Sequence, residues 1–206
     1  GRPDRSTFAG EGIRAGMALD RSATVQTLVA FLLVYLLEAF GGVVGLGSGW
    51  FALSLPLGVR PWTLLLATYA HAGPAHLAAN ALGLLLVGPL VERGTTTPRF
   101  HAFFAGSGAL AGVVQGVVSD LTGPPTAVLG ASGAVFALIG YALVGNRVVG
   151  VVVDRVEVGR ALTLGLFVAV AAVLTVATAA PGLALVAHFT GLFVGLVAGR
   201  RRLLRT

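Results

Sequence analysis

Long apolar runs separated by short polar breaks set the architecture of this chain. Six stretches, about residues 23–45, 63–91, 100–119, 130–146, 161–180 and 183–199, carry almost no charge. Runs of roughly 18 residues or more are long enough to cross a bilayer core of about 30 Å. The connection "GLGSGWFALSLPLGVRPW" (45–62) is glycine-rich and aromatic but hardly polar. That suits a segment lying in or on the membrane interface, with Trp50 and Trp62 at headgroup level. Pro74 inside the second stretch predicts a regular helix that opens there and leaves His71 ahead of it. The fourth stretch is the short one, at roughly 25 Å of helix. The loop before it holds Pro124 and Pro125, so the helix is expected to begin below the membrane surface, with Ser132 in its first turn. Irregular backbone at that depth must be buried in protein or line a wet cavity, so the loop predicts a water-filled pocket.

Composition agrees. Of 206 residues, 56% are hydrophobic and only 11% charged, against about 25% charged in a soluble domain. The pattern predicts an all-α, polytopic membrane protein of six spans. The net charge of +6 does not point to nucleic acid, because the arginines cluster at span ends. Six alternating spans place thirteen of them on one side and only Arg60 on the other. By the positive-inside rule both termini are cytoplasmic, and so compact a chain points to a prokaryotic plasma membrane. The chain then divides into a polar tail (1–22), a membrane domain (23–199) and a basic tail (200–206). The 45–62, 120–129 and 181–183 connections face outward, and Ser132 lies toward the outer half. The first twenty residues are too charged for a signal-peptide core. The absence of cysteine removes disulfides, thiolate nucleophiles and Cys-ligated metals.

Polar groups within spans are costly and mark functional sites. The main ones are Ser132, His188, and His71, His76 and Asn80 around the start of the second span. Glu38 and Gln115 fall near outer span ends and His101 at the inner border, and all three are weaker candidates. In "VLGASGAVFALIGYALVG", Ser132 sits among Gly130, Ala131 and Gly133. Such a hydroxyl can merely bond back to its own helix, or it can be a reagent left uncovered. His188 shares a helix face with Gly191, Gly195 and Gly199, a small-residue ladder that admits close helix approach. The small residues of the fourth span (Gly130, Ser132, Gly133, Ala137, Gly140) make it the natural partner, which would bring imidazole and hydroxyl together. His76 and Asn80, four apart, share a face. With the Ser132 backbone N–H they could form an oxyanion hole. No intramembrane aspartate is available, so the pattern is a dyad: His188 takes the proton and Ser132 attacks a carbonyl.

Three motifs in order, "HAGPAHLAAN" (71–80), "GASG" (130–133) and "AHFTGLFVG" (187–195), resemble the rhomboid family of intramembrane serine proteases. The resemblance spans the six-helix core and implies Ser132 as nucleophile and His188 as general base. It gives His76 and Asn80 oxyanion roles and places His71 near the water-filled entrance. "GLGSGWFALSL" becomes a membrane-lying loop between helices 1 and 2, and Glu92 a buttress of the inner loop. Phe136 stands where many bacterial members carry a tyrosine beneath the catalytic histidine, so only ring stacking would remain. Trp50-Phe51 replaces the Trp-Arg pair of many members. The implied substrates are transmembrane proteins in the lipid bilayer, cleaved without metal or cofactor. Rival readings are weaker. A metal hydrolase using His71, His76 and His188 lacks an HExxH motif. An inactive escort protein would be expected to have lost Ser132 or His188. A transporter would show a repeat of broken helices.

Overall fold

The computed structural model describes residues 22–124, 126–145, 159–179 and 184–206, with Arg160 by its backbone alone. The tail up to Arg21, Pro125, Arg147, Arg155 and the 181–183 connection lie outside the described residues. The described helices are α1 (Ala23–Val43), α2 (Thr63–Leu66), α3 (Pro74–Glu92), α4 (Thr97–Thr122), α5 (Ser132–Gly145), α6 (Arg160–Ala177) and α7 (Leu185–Arg200). Among them α1, α3 and α4 are long and apolar enough to cross a membrane, and α5, α6 and α7 are apolar but shorter.

The structure bears out the reading of Pro74. The apolar stretch 63–91 is not one helix. α2 ends at Leu66, an irregular turn follows, and helix resumes at Pro74. Proline disfavours helical backbone in the residue before it, yet fits the first helical position, where no N–H is needed.

Side-chain bonds fasten the ends. At the arginine-rich end, Glu92 accepts from the Thr24 N–H and hydroxyl (both 2.8 Å) and from the Ser22 hydroxyl (3.0 Å). Glu92 therefore holds the first turn of α1, where free N–H groups and the helix dipole favour a carboxylate. This corrects its expected role as a buttress of the inner loop. The Arg99 Nη1–H also donates to the Arg205 carbonyl (3.0 Å).

The core is built from Phe31, Leu84, Phe100, Phe104 and Leu138, all fully buried. Outside it, Leu32, Leu33, Leu36 and Leu37 of α1 and Leu82, Leu85, Leu86 and Leu90 of α3 are each more than half exposed. Such a contiguous apolar belt needs lipid to cover it.

The 44–62 connection winds through two short 3₁₀ turns, Ser48–Trp50 and Leu57–Val59. Its arginine comes from further along the chain than a Trp-Arg pair would supply. The Arg60 guanidinium lies 5.2 Å over the Trp50 ring and donates to the Gly49 carbonyl (2.8 Å). The Trp62 indole stacks on Trp50 at 5.6 Å and donates to its carbonyl (3.1 Å). The loop is thus a packed unit.

Candidate active site

The site begins with the seam between α5 and α7. A side chain at Gly191 would overlap the Gly133 carbonyl, and one at Gly195 the Ala137 carbonyl. One at Gly199 would lie 2.8 Å from the Tyr141 carbonyl. Three rungs, each four residues apart on both helices, bring the backbones into contact, which only glycine allows. Gly140 works in reverse, against the Leu192 carbonyl and the Leu196 amide.

Gly130 is not part of this seam, contrary to expectation. It precedes α5 and has φ +123°, a conformation favouring glycine. A Cβ there would sit 2.6 Å from His76 Cε1 and 2.8 Å from Nε2. Its absence lets the His76 ring reach the start of α5. The extended backbone before Ser132 is pinned from outside. Leu53 and Val128 exchange two N–H to carbonyl bonds of 2.8 Å, and the Gly130 N–H donates to the Ala67 carbonyl (2.8 Å). At Val128 and Gly130 the non-helical backbone is thus satisfied by protein. Ser132 is the first residue of α5, so its N–H belongs to the set that a helix leaves without an internal partner.

His188 enters from α7, only 4% exposed. Its ring stacks on Phe136 at 4.3 Å and 16°, which is the stacking expected without the tyrosine hydroxyl. Nδ1 is sealed in the packing with no partner among the described residues, leaving Nε2 as the nitrogen toward the cavity. Gln115 fixes the start of this helix, its Oε1 accepting from the Ala187 N–H (3.2 Å) while its Nε2 donates to the Ser119 hydroxyl (3.0 Å).

A cavity of about 570 Å³ is lined by Ser132, His188, His76, Asn80 and Phe136, among others. It extends along Ala79 and Gly83 of α3 and Ile139 of α5. Among the described residues no hydrogen bond joins Ser132 to His188. Catalytic bonds are often long before substrate binds, and the shared cavity wall is what the structure provides. Asn80 Nδ2 spends one hydrogen on the His76 carbonyl (3.0 Å), which leaves its second N–H.

His71 sits in the turn ahead of α3, as Pro74 predicts. It is 3% exposed and lines a separate cavity of about 540 Å³ with Tyr35, Glu38 and Ser48. Its ring packs edge-on to Phe31 (4.8 Å) and His76 (5.3 Å). It therefore braces His76 from a cavity that shares Ala72 and Leu129 with that of Ser132. Glu38 and Gln115, the weaker sequence candidates, both hold backbone N–H groups beside the site: Glu38 Oε2 accepts from the His71 N–H (2.9 Å). Their signal was position, a lone polar group near a span end. His101 bonds Gln26 (2.8 Å) away from this site.

Comparison with known proteins bears on the family. The Rhomboid domain model matches residues 59–205. Rhomboid protease GluP of Bacillus subtilis (strain 168) is 36% identical over 89 residues, 42% of this chain and 17% of GluP. Putative rhomboid protease YdcA of the same organism is 36% identical over 83 residues, 40% of each chain. The chain thus aligns with less than half the length of either relative. With the family model covering most of its length, the chain belongs to the rhomboid family.

Proposed function

We propose that this chain is an intramembrane serine endopeptidase that cleaves peptide bonds in or next to the transmembrane segments of other membrane proteins. One observation carries the reading: Ser132 and His188, from helices locked together by glycine, line one cavity with His76 and Asn80. His188 accepts the Ser132 proton as Oγ bonds to the substrate carbonyl carbon, and the carbonyl π pair moves onto oxygen. The Ser132 N–H, His76 and the free Asn80 N–H are the donors for that oxyanion. Collapse expels the amine, which takes the proton from His188. Water then attacks the acyl ester, gives a proton to His188, and the Ser132 oxygen leaves carrying it. A helical carbonyl is already hydrogen-bonded, so substrates unwind locally, and small or helix-destabilising residues near the scissile bond favour this.

Residues 23–199 form the catalytic membrane domain between cytoplasmic tails (1–22 and 200–206). The described Arg93, Arg99, Arg200, Arg201, Arg202 and Arg205 lie at the end opposite the site, which supports a plasma-membrane protein with its site toward the outer face. In liposomes carrying a model transmembrane substrate, Ser132→Ala and His188→Ala should each abolish cleavage while leaving the melting curve in place. Wild-type turnover by Ser132→Ala would overturn the mechanism.

A further inference from the structure

We propose that Glu38 is a positioning residue that selects the tautomer of His76; the inference rests on the oxyanion role given to His76 above. An ionisable side chain in a span is costly and needs a reason. Here the Glu38 carboxylate reaches from α1 to the turn before α3 and accepts the His71 N–H at 2.9 Å. The next amide along, Ala72 N–H, donates to His76 Nδ1 at 3.4 Å. Two successive N–H groups are thereby fixed, one on a carboxylate and one on an imidazole.

A neutral imidazole carries one proton, and a ring nitrogen that accepts a bond cannot hold it. With Nδ1 accepting from Ala72, the proton resides on Nε2. That nitrogen and Cε1 form the edge packed against Gly130, while Nδ1 lies farther off, at 3.8 Å from the Gly130 Cβ position. His76 therefore presents Nε2–H beside the start of α5. In the other tautomer Nε2 would offer a lone pair to the developing oxyanion and repel it.

The buried His71 ring has the Tyr69 backbone beside it, and the His71 link to α1 is its backbone N–H on Glu38 together with the apolar contact of its ring on Phe31. Removing the carboxylate frees the peptide unit that aims the Ala72 N–H.

The test uses ¹⁵N-histidine-labelled full chain in micelles at alkaline pH, with the four histidines assigned by single substitutions. Protonated and bare ring nitrogens resonate far apart. The wild-type spectrum should place the His76 proton on Nε2; a proton on Nδ1 overturns the proposal without any variant. Glu38→Gln retains an acceptor and should keep that tautomer and a kcat within about threefold of wild type. Glu38→Leu should give mixed tautomers and a kcat about 10–10² lower, with KM within about twofold, the pattern of a lost transition-state donor. An unchanged tautomer in Glu38→Leu, or equal losses in Glu38→Gln and Glu38→Leu, would overturn it. The spectra read His76 whether or not the chain cleaves the chosen substrate, so failure of the protease reading remains separable.

Discussion

Alanine at Gly191 places one methyl group against the backbone of α5. The new Cβ would lie 2.9 Å from the Gly133 carbonyl carbon and 3.2 Å from its Cα, with the carbonyl oxygen nearer still. Ordinary contact begins at 3.4 Å, and backbone has no rotamer with which to yield. α5 and α7 must therefore part by at least about 0.5 Å, with an overpacking cost of about 1–3 kcal/mol. Gly133 adjoins Ser132, and Gly191 is one turn from His188, so the separation opens the proposed dyad directly. A misplacement near 1 Å costs on the order of 10² in rate, so kcat should fall about 10–10²-fold. Gly195→Ala meets equally unyielding atoms, the Ala137 carbonyl carbon at 2.8 Å and the Tyr141 nitrogen at 2.9 Å, but one turn farther from the chemistry. It should lose similar stability and distinctly less kcat. Thermal unfolding in detergent and single-substrate cleavage kinetics measure both. Wild-type kcat in Gly191→Ala, or an equal loss of kcat in Gly195→Ala, would refute the reasoning.

Further outcomes follow from the same contacts. His76→Ala should lower kcat about 10²–10³-fold while leaving KM for a transmembrane substrate nearly unchanged, by steady-state kinetics in liposomes. Glu92→Ala strands the Thr24 N–H that the carboxylate now accepts and should cost about 1–3 kcal/mol, read as a lower melting temperature, with the site at the far end intact. Gly165→Ala, where a Cβ meets nothing within 4 Å among the described residues, should be neutral or stabilise by up to about 1 kcal/mol.

The sequence made much of this site legible because its signals are periodic or chemical. The ladder Gly191, Gly195, Gly199 announces a close helix contact by spacing alone, and Ser132 and His188 stand out as polar groups among apolar ones. Gly130, being small, reads as part of the fourth-span face that meets this ladder. Its actual task depends on a positive φ and a histidine from α3, neither of which leaves a mark in local pattern. Glu38 and Gln115 drew less weight for a related reason: their partners are the backbone amides of His71 and Ala187, and every residue type except proline carries such an amide. The break between α2 and α3 was half visible. Pro74 marked where helix resumes, but apolar composition from 63 onward gave no sign that helix stops after Leu66.

The account depends on a Ser132 hydroxyl made nucleophilic by His188 within a cavity that small molecules can enter. Reaction of the intact chain with a fluorophosphonate, followed by peptide mapping, tests this most directly. The adduct should map to Ser132 alone and vanish in His188→Ala. Labelling elsewhere with Ser132 untouched, or undiminished labelling without His188, would contradict it.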